Sequence, residues 1–235
     1  MRNVIAYAVV AFLCAGCASY MTPGGPAPLA ELAGANASDA AEQPSPQFPL
    51  NLVAVRLQAA DYRSLSTTGY GEGRFSVIAP PELLTPPQLQ SLAQWPQIAK
   101  AAIFDAALLP EKFDSLADLR LAAAKMQADV LLVYTIATTL QVDGHTLDPA
   151  HKLSLGDQPE VGVTVNSTAS LAFVDVRTGY VYATTQADAA MTDLADAWQS
   201  ETALDAKRMA AEQKAFAALL VVAQASWSGI ISRYQ

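Results

Sequence analysis

Residues 116–127 read Leu-Ala-Asp-Leu-Arg-Leu-Ala-Ala-Ala-Lys-Met-Gln, residues 128–129 Ala-Asp, and residues 130–139 Val-Leu-Leu-Val-Tyr-Thr-Ile-Ala-Thr-Thr. Ser115 before this stretch is a good N-cap, and Leu116, Leu119, Ala123 and Met126 recur at helical spacing. The run from Val130 is continuous and apolar, as suits a central strand covered on both faces. Helix, short turn and buried strand together predict a sheet packed by helices.

The neighbouring segments extend this pattern. Leu50–Gln58 reads as a buried strand, and Phe75–Ala79 as a second one stopped by Pro80-Pro81. Thr85-Pro86-Pro87 opens a helix reaching about Ala93, and Ile98–Leu108 reads as a strand followed by an exit to Pro110. Val161–Val176 and Tyr180–Gln186 form a hairpin, with Gly179 supplying the positive φ of its turn. From Ser200 to about Ser232 a long helix places Met209, Phe216, Leu220, Ala223, Trp227 and Ile230 on one stripe. The expected fold class is α/β, with a mixed sheet packed by helices, in two or three layers, and a long C-terminal helix. No internal repeat or second linker is evident, so residues 48–235 are expected to form a single domain.

The segment before that domain has a different composition. Residues 1–16 hold Arg2, then 12 apolar residues from Val4 to Ala15, then Gly16, which is the layout of a signal peptide. That run is shorter than the roughly 20 residues a transmembrane helix needs. The ending Leu13-Cys14-Ala15-Gly16-Cys17 resembles a bacterial lipobox, with Cys14 where leucine is usual. The resemblance implies cleavage before Cys17 and lipidation of Cys17 with palmitate-type acyl chains. Ala18 and Ser19 after it, rather than aspartate, imply sorting to the periplasmic face of the outer membrane. An ordinary signal peptide cut after Ala18 or Ser19, releasing a soluble periplasmic protein, is the alternative. Residues 17–47 are rich in Pro, Ala, Gly and Ser and read as a flexible tether, with a reach of roughly 30 Å.

Charge narrows the range of partners. Formal charge is −8 overall; the 14 basic residues less Arg2, set against 22 acidic ones, leave −9 after the leader. Without a Lys/Arg cluster the chain lacks the footprint that phosphate neutralisation requires, so nucleic acid is not an expected partner. The same balance argues against charge-driven adhesion to anionic lipid, and membrane attachment is expected through the Cys17 anchor. Both cysteines lie at the leader junction, so the domain can form no internal disulfide.

A second resemblance rests on Ala128-Asp129 before the central strand and on Val174-Asp175-Val176-Arg177-Thr178-Gly179-Tyr180-Val181. In that arrangement, roughly residues 48–232 look like the periplasmic fold of TolB amino-terminal domains, curli-secretion-channel lipoproteins and penicillin-binding-protein-activator lipoproteins. Members of that fold bind partners or assemble in the envelope, which implies a non-enzymatic role with an envelope protein or a homo-oligomer as partner.

Candidate chemistry is sparse. His145 and His151 lie in a loop marked by Gly144 and Pro149 and match no standard zinc spacing, so neither a metal nor another cofactor is expected. Gly69-Tyr70-Gly71-Glu72-Gly73 lacks the lysine of a phosphate loop; it reads as a mobile hairpin that could offer Tyr70 to a partner. Trp198 is a second possible partner contact, whereas Trp227 is expected in the core. Asp188, Asp193, Asp196 and Glu201 read as charges at the start of the last helix rather than catalytic residues. Two alternatives stay open. An envelope-polymer hydrolase would gather such acids in a pocket, and a periplasmic small-molecule sensor would have an apolar pocket under Gly69–Gly73.

Overall fold

The computed structural model describes residues 18–29, 44–79, 82–155, 162–192 and 194–235. Cys17, the leader and Asp193 lie outside the described residues. The strands are β1 (Ser19–Met21), β2 (Leu50–Ala59), β3 (Phe75–Ile78), β4 (Ile98–Ile103), β5 (Val130–Val142), β6 (His145–Thr146), β7 (Lys152–Ser154), β8 (Val163–Asp175) and β9 (Val181–Met191). The helices are α1 (Pro86–Ala93), α2 (Leu116–Lys125) and α3 (Glu201–Tyr234).

Among the described residues, seven strands share one mixed sheet along the path β3-β2-β5-β8-β9. β4 runs parallel to β2 beside Leu50–Ala54, β3 antiparallel beside Arg56–Ala59. β2 and β5 are parallel, while β5, β8 and β9 form an antiparallel meander whose first pair runs from Val130↔Asp175 to Val142↔Val163. Alternation along the strands separates two cores. Leu52, Ala54, Val130, Leu132 and Tyr134 face α1 and α3, whereas Val53, Val55, Leu131 and Val133 face α2. The result is a three-layer α/β domain, with the mixed sheet and long C-terminal helix expected from sequence.

Local signals explain where the helices begin. Ser115 and Asp118 form a reciprocal cap, with Asp118 Oδ2 accepting from Ser115 N at 3.2 Å. Gln88 Oε1 accepts from Thr85 N at 2.8 Å ahead of the prolines of α1. α3 is apolar and long enough to cross a membrane by composition, with a window of mean hydropathy 1.6. One face nevertheless fills the core through Phe216, Leu219, Ala223, Trp227 and Ile230. Trp227 is fully buried against Phe173 and Phe48, and its Nε1 donates to Pro96 O at 2.8 Å. Met209 and Leu220, expected on the buried stripe, are only half-buried.

The largest departure from expectation concerns the tether. Residues 18–29 are packed into the domain. β1 pairs with β7 inside the expected polar loop, and Leu155 N donates to Ala18 O at 2.8 Å. Thr22 Oγ1 donates to Asp148 O at 2.7 Å and accepts from His151 N at 2.8 Å. Gly25 O accepts from Ala59 N, and Ala27 N donates to Thr135 Oγ1. The segment enters where β2 and β5 diverge beyond Val55↔Val133. There the Gln58 side chain substitutes for a strand, donating to Ile136 O and accepting from Ile136 N, both at 2.9 Å. Buried backbone groups need partners, and this segment together with Gln58 supplies them. The flexible-tether reading thus fails for residues 18–29, while Ser45 and Gln47 at the other end of the segment are exposed.

Candidate functional site

Two places concentrate polar chemistry. One is a closed ion network above β2. Arg56 follows Leu52 and Ala54 on the strand face turned towards α3, where the pattern calls for an apolar residue. It is 1 % exposed. The first turns of α3 answer it with Asp205, Arg208 and Glu212 on their buried face. Arg56 donates to Glu212 Oε2 and Glu82 Oε2, each at 3.2 Å, and to the Tyr62 hydroxyl at 3.3 Å. Arg208 donates to Asp205 Oδ1 at 2.6 Å, Glu212 Oε1 at 2.7 Å and Ser66 Oγ at 3.1 Å. Tyr20 from β1 donates to Asp205 Oδ1, Thr138 to Glu212 Oε1, and Thr67 and Ser66 to Glu82 Oε1.

Burial alone would lower the pKa of both arginines. The facing carboxylates outweigh it, Glu212 foremost for Arg56 and Asp205 for Arg208, so both stay charged. The tyrosines respond in the opposite sense, with burial pushing Tyr20, Tyr62 and Tyr134 above the ordinary phenol value. Two buried side-chain polar atoms have no hydrogen-bond partner among the described residues, Arg56 Nε and the Tyr134 hydroxyl. The network joins β2, α3, β5, the 62–67 loop and the N-terminal segment. Its charged groups are spent on one another.

The second place is an open cleft of about 820 Å3 at the start of β2 and β5, between residues 45–47, α2 and the β8–β9 turn. Both motifs that carried the fold resemblance meet there. Asp129 Oδ2 accepts from Asn51 N at 2.7 Å, and Val176 N donates to Asp129 O. Asp175 Oδ1 accepts from Thr178 N at 2.6 Å and Oγ1 at 2.8 Å, while Oδ2 accepts from the Tyr182 hydroxyl at 2.7 Å. Burial, then this carboxylate, hold the Tyr182 phenol above its ordinary pKa. Arg120 Nε donates to Val176 O at 2.8 Å, and its guanidinium also binds Arg177 O. Gly179 is required here, with φ +79° and a Cβ position only 2.7 Å from Arg120 Nη1. The cleft's polar groups thus brace the turn. Beside them Leu121 lines the cleft at 65 % exposure.

The residues singled out from sequence fall elsewhere. Tyr70 is 40 % exposed, as its proposed role requires. The loop around it is not a loose hairpin: Tyr70 pairs with Val77, and Glu72 bonds to Glu111 and Phe113. A Cβ on Gly69 would meet Ser76 at 2.4 Å, and one on Gly73 would meet Phe113 O at 2.3 Å. Phe113 and Ser76 occupy the space beneath the loop, where a sensor was expected to have a pocket. Trp198 is 4 % exposed in a core with Tyr20, Leu155, Leu194 and Leu204, which corrects its reading as a partner contact. Asp188 sits midway along β9, bonded to Thr168, rather than at a helix start; Asp196 and Glu201 are exposed. His145 and His151 are exposed, and among the described residues no three His, Cys, Asp or Glu side chains group as metal ligands.

Sequence reasoning missed the ion network. Its signal was present in Arg56 at an inward strand position and in Asp205, Arg208 and Glu212 at intervals of three and four.

No known family model matches the chain, and no curated protein matches it either.

Proposed function

We propose that the chain is an envelope lipoprotein held at Cys17, and that its domain acts without catalysis by binding a protein partner or a second copy of itself. The observation that carries the binding role is Leu121, a large apolar side chain 65 % exposed on the wall of an open cleft. A partner side chain seated in the cleft would cover this apolar group and leave the hydrogen bonds that brace the turn intact. The neighbouring Arg120, Asp129 and Asp175 already serve the turn beneath it. The lipobox-type ending at Cys17 supports the anchor, and Ala18-Ser19 supports outer-membrane placement.

The two halves are tested separately. A photo-crosslinking residue at position 121, activated in intact envelopes, is expected to give a discrete adduct or a dimer; no adduct at 121 would reject the contact. Cys17→Ser is expected to move the protein from the membrane fraction to the soluble one at high salt. Unchanged partitioning would reject the anchor.

A further inference from the structure

The packing of β1 changes what an anchor at Cys17 would do. A free tether of 30 residues would let the domain sample many orientations. Here the ordered domain begins within two residues of Cys17. An extended residue spans at most about 3.6 Å, so Ser19 lies within about 7 Å of Cys17 and Met21 within about 14 Å. Any lipid on Cys17 therefore selects the face of the domain that lies on the bilayer.

That face has a distinctive surface. A shallow depression of about 380 Å3 is lined by Met21, Arg63, Leu65, Lys152 and Glu201, together with Ser19 and Tyr20. Met21 is 50 % and Leu65 46 % exposed, so two of the large exposed apolar side chains flank one depression. Lys152 is the cross-strand neighbour of Met21, and both are exposed. Arg63 is exposed as well, and neither cation makes an ion pair among the described residues. Two cations and one carboxylate thus mark this patch on an otherwise acidic chain. Screening over about 8–10 Å makes charges near the lipid count and remote acids count little.

We propose that this patch is a membrane-docking surface for anionic phospholipid, with Met21 and Leu65 entering the head-group layer and Arg63 and Lys152 meeting lipid phosphates. The proposal rests on the anchoring reading and adds a fixed orientation to it. α3 starts at the patch with Glu201 and runs away from it, so Val221 lies 20 residues, or about 30 Å, further along the helix. Val221 is 70 % exposed and serves as the remote reference.

The test uses the mature chain from Cys17, whose single thiol is coupled to a maleimide phospholipid in vesicles of phosphatidylglycerol and brominated phosphatidylcholine. Leu65→Trp and Val221→Trp are compared against the three native tryptophans, all buried. Bromine is expected to quench at least half of the added emission at position 65 and to leave position 221 unchanged. Adding Arg63→Glu and Lys152→Glu should bring position 65 to the level of position 221. Equal quenching at 65 and 221, or quenching at 65 that survives both charge reversals, would overturn the proposal. Chemical coupling does not depend on acylation in the cell. An unmodified Cys17 in envelopes, read by mass, would therefore reject the anchoring reading alone.

Discussion

Glu212 is the residue on which the buried charges depend. It receives Arg56, Arg208 and Thr138 at distances between 2.7 and 3.2 Å and is 1 % exposed. Glu212→Gln would keep the shape but leave two buried guanidinium groups short of a counter-charge. Removing one partner of a buried ion pair typically costs about 3–5 kcal/mol. A loss of that order, read as a lower urea midpoint at unchanged slope, is expected; a loss under about 1 kcal/mol would mean that Asp205 and Glu82 suffice. The residues singled out from sequence were unevenly legible. Tyr70 is exposed, but the bonds that tie its loop to Val77, Glu111 and Phe113 were not legible. The burial of Trp198 was not legible either, because its cover comes from Tyr20 and Leu155, which are remote in sequence. Burial by distant chain leaves no local pattern.

At the scale of elements, periodic segments were the legible ones. β5 carries a continuous apolar run, and β8, α2 and α3 enough alternating or helical spacing, to be recognised, and their ends fall within a few residues of expectation. β1 and β7 are three residues long and lie among prolines and glycines, so no period could declare them. They pair with each other in a separate two-stranded sheet, and it is the chain after β1, through Gly25 and Ala27, that reaches β2 and β5. Tyr20 is the side chain that fastens β1, being 3 % exposed and bonded to Asp205 at 3.2 Å. Tyr20→Ala is expected to cost about 3–5 kcal/mol, as for other large aromatic truncations in a core. Hydrogen exchange should show Lys152–Ser154 losing protection in the variant; protection equal to the parent would mean that β1 holds without its tyrosine.

Across the whole molecule, the buried phenols set a limit at high pH. Tyr20, Tyr62, Tyr134 and Tyr182 all have their pKa raised from 10.0, chiefly by burial. An unfolded chain releases these protons first, so above about pH 10 it binds fewer protons than the folded chain. Stability should therefore be intact below about pH 9 and decline as pH rises past 10, at about 1.4 kcal/mol per pH unit for each phenol held neutral. Urea midpoints between pH 8 and 11 would show this. Tyr134→Phe should reduce the slope by about one quarter and raise stability at neutral pH, because it removes a buried hydroxyl without a partner. A flat profile above pH 10 would contradict the burial of these phenols.

The docked N-terminal strand also imposes an order of events on the life of the chain. Its partners stand far downstream: Thr135 is 108 residues from Ala27, and Asp205 is 185 residues from Tyr20. Once Leu155 grips Ala18, the peptide beside Cys17 is held within two residues of a strand. A peptidase or acyltransferase needs that stretch extended and free. On the anchoring proposal, processing at Cys17 would have to come before β1 closes, while residues 135–205 are still unfolded. Maturation at one end of the polypeptide would then be a race against folding begun at the other.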